Sequence, residues 1–120
     1  MKPADLQIRT KTFALRVIKV AEFLQRHPIG KFIANQIFRS STSVAANYRA
    51  ACRARSAKDF IAKLGIVIEE VDETAFWLEL SGESGFLKSE QINDLFKEAN
   101  EITAIMVASK NSAIKNQRRK

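Results

Sequence analysis

Glycine and proline are scarce, four and two in 120 residues. So few chain breakers exclude a turn-rich β architecture and leave long helices. A single cysteine, Cys52, excludes an internal disulfide and fits a reducing, cytoplasmic setting. The one histidine, His27, precedes Pro28 in a break between helical stretches. It supplies neither the paired Glu-x-x-His motifs of a di-metal bundle nor a Ser-His-Asp set. A glycine-rich phosphate loop is missing as well. Glu69 or Glu70 with Glu73 comes nearest to a cation site, and such pairs are ordinarily a solvated acidic face. The expectation is therefore a non-enzymatic chain without metal or cofactor. Apolar runs fall far short of the roughly 20 residues that cross a bilayer. The start, MKPADLQIRT, lacks the apolar stretch of a leader. No membrane partner is expected.

Acidic residues are missing from the first half of the chain. Residues 1–63 hold 13 Lys/Arg against 3 Asp/Glu, residues 64–101 hold 2 against 10, and residues 102–120 hold 5 and no acid. The net charge of +7 is thus strongly segregated. Segregation of this kind suits either polyanion binding or pairing of oppositely charged surfaces between subunits.

What is present is helical periodicity, four times over. In the first segment, residues 5–25, Phe13, Val17, Ala21 and Leu24 share a face before RHPIG interrupts. The second, residues 31–54, carries Ile33, Ile37, Val44, Tyr48 and Ala51. Ser56 with Asp59 forms a helix-start signal for the third, residues 57–80, whose seam runs Phe60, Leu64, Val67, Val71, Thr74, Leu78. SGESGFLK ends it, and Ser89 is the expected cap of the fourth, with Ile92, Leu95, Ala99, Ile102 and Met106 on its seam. Residues 1–4 and 111–120 are expected to fray. Short links make neighbours antiparallel, so the fold class is all-α: a single up-down-up-down four-helix bundle spanning residues 1–120.

The stretch FRSSTSVAANYRAACRAR sets four hydroxyl residues in a row beside arginines. On a wheel of about 100° per residue, Lys31, Arg39, Thr42, Arg49 and Arg53 fall on one polar flank, opposite the apolar stripe. Ser40 and Ser41 flank the apolar side. They are read as small spacers that bond back to the carbonyls of Gln36 and Ile37. Thr42 and Ser43 lean to the basic side, equally suited to packing or to a ligand. Arg9, Arg16, Lys19 and Arg26 form a second stripe on the first helix. If the two stripes merge, they make a phosphate-binding patch. Its candidate residues are Arg9, Arg16, Lys19, Lys31, Arg39, Thr42, Arg49 and Arg53. Cys52 sits at an apolar wheel position and is expected to fill the core. The third helix is apolar beyond its seam. Ile66, Phe76 and Trp77 are the candidate oligomer contact.

QIFRSSTSVAANYRAACRARSAKDFIAKL, followed by EEVDETAFWLEL, resembles the four-helix-bundle family encoded in intervening sequences of bacterial 23S ribosomal RNA genes. The resemblance covers residues 6–109. Its most specific positions are Gln36-Ile37, Arg39-Ser40-Ser41, Ser43-Val44, Asn47, Ser56, Asp59-Phe60, Glu73-Thr74 and Trp77-Leu78. The chain is also similar to the accessory variability proteins of diversity-generating retroelements. These likenesses imply a homopentameric ring, a basic surface suited to RNA or DNA and, in the retroelement branch, a reverse-transcriptase partner. They bring no catalytic residues. Many family members read Asn-x-Ala-Glu-Gly where this chain has NYRAA, so any role for that acid is absent here.

Overall fold

A computed structural model describes residues 1–119. Four helices follow in order: α1 Pro3–Leu24, α2 Pro28–Cys52, α3 Ala57–Glu83 and α4 Ser89–Arg118. α1 packs on α2, α2 on α3 and α3 on α4, and α1 closes on α4 over a shorter length. The result is an elongated bundle of 53 × 21 × 20 Å. All five of the seam residues expected on α2 and the four on α1 are buried. On α3 and α4 the seams are buried too, except that Phe60 and Ile92 are partly covered at its ends.

Pro28 starts α2 instead of lying in the break. A proline at the first helical position loses no hydrogen bond, because that N–H has no intrahelical partner. His27 caps the helix, its Nδ1 accepting from Ile29 N–H at 3.2 Å. At the head of α3, Ser56 Oγ accepts from Asp59 N–H at 3.0 Å. The acid does not reach back to complete the box; Asp59 accepts from Lys63 Nζ at 2.9 Å instead. α4 is capped one residue earlier than expected, at Lys88, whose N–H donates to Gln91 Oε1 at 2.8 Å. Between α3 and α4 the chain turns through Gly85, at φ 83, the only positive φ among the described residues. Phe86 N–H then closes on the Ser81 carbonyl at 3.0 Å.

The expected fraying at 111–118 is not found, and residues 3–4 are helical as well. α4 continues to Arg118, with Ala113 and Ile114 still partly covered, so the seam runs on past Met106, the last residue expected on it. Lys120 lies outside the described residues.

Gly30 is buried where α2 leaves the α1 turn, and a Cβ there would collide with the Leu24 carbonyl oxygen. Gly→Ala inside a helix ordinarily stabilises by about 1 kcal/mol. Gly30→Ala should reverse that sign, costing roughly 1–3 kcal/mol because backbone has to move. Urea unfolding of the two proteins measures it.

Candidate nucleic-acid interface

The hydroxyl row of α2 resolves face by face. Ser40 and Ser41 are fully buried. Their hydroxyls donate to the carbonyls three residues back, Ile37 and Phe38, at 3.4 and 3.3 Å, not to those four back. Ser40 Oγ also lies 2.8 Å from Thr74 Oγ1 of α3, which is bonded to the Glu70 carbonyl. Each buried hydroxyl is thereby satisfied while two helices approach closely. Thr42 spends its proton on its own helix, with the Phe38 carbonyl at 2.8 Å, so it has only acceptor capacity left for a ligand. Asn47 Nδ2 donates to the Ser43 carbonyl and hydroxyl at 2.9 and 2.8 Å. That pair ties one turn of α2 to the next.

The two basic stripes do not merge. α1 presents Arg9 to α4, where its guanidinium binds Glu98 in two bonds, of 2.6 and 2.8 Å, and reaches Glu101 at 3.3 Å. Arg16 sits on this flank also, close enough to favour the charged form of Glu98. The side of α1 turned toward α2 carries Ile8, Lys11, Leu15 and Ile18. Arg39 leans the other way, toward α3, and pairs with Glu70 and Glu73. Both arginines are thus neutralised inside the chain. Lys19 makes only a loose pair with Glu22 at 3.9 Å, between two exposed side chains, which contributes little.

Three arginines gather at one end. Arg49, Arg53 and Arg55 line a polar cleft of about 730 Å³ with Lys63 and Asp59. Asp59 is engaged by Lys63, and none of the three arginines has an ion-pair partner among the described residues. Lys31 is exposed at the far end of α2, likewise without such a partner. Of the eight candidates, Arg9 and Arg39 are tied to carboxylates of α4 and α3, while Arg16, Lys19, Lys31, Arg49 and Arg53 remain exposed. Arg55 was not among the eight, since it falls just past the helix, in the turn before α3, where a wheel does not apply.

The Arg9–Glu98 contact also shifts titration. Hydrogen bonding from Arg9 holds Glu98 below its ordinary value of 4.5, against the opposing effect of burial, and the same bond raises Arg9. A depressed carboxylate stabilises the fold fully above its unfolded pKa, and the contribution is lost as pH falls through the folded one. Glu98→Gln should therefore cost roughly 1 kcal/mol at pH 7, and the cost should shrink as the pH falls and the carboxylate takes up its proton. Thermal melts of both proteins from pH 7 to 2 check this.

On α3, Ile66 and Phe76 are exposed. Trp77 is half-buried, stacked edge-on against Phe76 and Phe32 with centroids 5.0 and 6.1 Å away. Its Nε1 donates to Glu73 at 3.2 Å. Exposed Ile8 and Leu15 on α1 and Phe38 on α2 form a further apolar strip that sequence reading passed over. Ile8 and Leu15 are seven residues apart and off the core stripe, which was the available signal. Cys52 is partly exposed beside buried Tyr48, whose hydroxyl burial pushes upward in pKa. No described helix is long and apolar enough to cross a membrane.

The sequence pattern of the 23S rRNA-intervening sequence protein family matches residues 4–108. Among solved structures, a protein of unknown function from the S23 ribosomal protein family of Bacteroides thetaiotaomicron superposes with a TM-score of 0.81 at 33% identity. The match covers 85% of this chain and 94% of that one. A search of curated proteins gives no match. The motif from Gln36 to Leu78, the four-helix bundle and these two likenesses agree: the chain belongs to the 23S rRNA-intervening sequence protein family.

Proposed function

We propose that this protein is a non-enzymatic, cytoplasmic accessory factor that assembles into a homo-oligomer and binds RNA or DNA through the α2 C-terminal end. The observation that carries this reading is the convergence of Arg49, Arg53 and Arg55 on one cleft without carboxylate partners among the described residues. Three guanidinium groups so placed match phosphate oxygens bidentately and carry no base readout. Binding is thus tolerant of sequence and sensitive to salt. The family resemblance favours five subunits.

The test is retention of a labelled RNA and a labelled duplex DNA across a salt series. If three phosphates are neutralised, raising salt from 50 to 200 mM should weaken binding roughly 20- to 40-fold. No binding at the lowest salt ends this reading. It would leave the second one, an assembly module without nucleic acid.

A further inference from the structure

The up-and-down order of the helices brings the start of α1, the end of α2, the start of α3 and Ser109 of α4 to one end of the bundle. Between them lies a cavity of about 400 Å³. That is toward the lower end of the roughly 300–1,000 Å³ of small-molecule sites. Pro3, Leu6, Ala51 and Phe60 form its apolar wall, and no charged side chain among the described residues lines it. It shares no residue with the arginine cleft.

Tyr48 lines the same cavity and is only 2% exposed. Burial keeps its hydroxyl protonated, so it stands as a donor. The other buried hydroxyls, on Thr10, Ser40, Ser41, Thr74 and Ser81, each donate to a carbonyl of their own helix. A phenol carries its hydroxyl too far from its own backbone to do the same. The one hydrogen-bonding group that Tyr48 meets is the Cys52 thiol, and sulfur is a weak acceptor. A buried donor so poorly matched, facing a cavity, lacks an oxygen.

We infer that this cavity binds a small uncharged molecule with an apolar body and one oxygen that accepts from Tyr48. The wall takes the body and the hydroxyl fixes its orientation. An ion would lose its hydration there with no charged side chain to offset the loss. The site goes beyond the nucleic-acid reading and does not depend on it.

Cys52 supplies the readout. It is the only cysteine of the chain, is partly exposed and lines the cavity, so the rate of its alkylation by iodoacetamide, followed by mass, reports occupancy. Acetophenone is the probe. Cumene, of similar shape without the oxygen, is the control. Both should slow alkylation of the native protein in a saturable way. Each variant is compared with its own rate without probe. Tyr48→Phe should weaken acetophenone about fivefold, the effect of one neutral hydrogen bond, and leave cumene unchanged. It should also melt close to the native protein, because the hydroxyl removed has no oxygen partner in the fold. Ser109→Leu, on the α4 wall, should fill the cavity and abolish protection by both probes while circular dichroism stays native. No protection of the native protein overturns the inference. So does a Tyr48→Phe variant that binds acetophenone as before, or one that melts far lower, which would mean the hydroxyl is already satisfied. Undiminished protection in Ser109→Leu would place the probes elsewhere and overturn it as well.

Discussion

Arg49, Arg53 and Arg55 changed together to glutamate should lose nucleic-acid binding while the bundle melts as before. All three are exposed at the end of α2 and none holds another helix. Their reversal removes about three phosphate contacts and adds repulsion, so the slope of affinity against salt should collapse toward zero. Arg39→Glu makes the informative contrast. Its guanidinium is already committed to Glu70 and Glu73, so reversal sets a third carboxylate beside two. That change should lower stability by on the order of 1 kcal/mol and leave binding nearly intact. Filter binding and thermal melts on both proteins separate the roles. The proposal fails if Arg39→Glu abolishes binding and the triple change does not.

Leu78→Ala should cost about 2–5 kcal/mol, whereas Phe76→Ala, two residues away, should cost well under 1. Leu78 is fully buried in the four-helix core and cannot be replaced by collapse of neighbours without loss of contact. Phe76 is half exposed on the outward face of α3 and, among aromatic rings of the described residues, meets only Trp77. For a chain of this length the Leu78 change corresponds to a melting-temperature drop on the order of 10 °C. The comparison is best made at concentrations where assembly is absent, since oligomerisation adds stability by mass action. Equal losses at both sites would mean that Phe76 belongs to the core.

Much of the fold was legible in the residues. Apolar positions three and four apart on each segment marked the buried seams, because a helix buries whatever falls on one face. The helix starts were less legible. Pro28 reads as a breaker from composition and acts as a first-turn residue, a distinction that depends on which carbonyls need an N–H. The site was legible only in part. A wheel orders residues around one axis and says nothing about the neighbouring helix.

By itself, then, the sequence determined the number of helices, the core they share, the uneven spread of charge and the family. Those follow from local periodicity and composition. The tertiary structure decided which cations are available. Arg9 meets Glu98 across 89 residues of chain, and Arg39 meets Glu73 across 34. Such encounters depend on how each helix is rotated against its neighbour, which packing of the whole core sets. The same rotation leaves Arg49, Arg53 and Arg55 facing water, and it lays Ile8, Leu15 and Phe38 open along a seam no other helix covers.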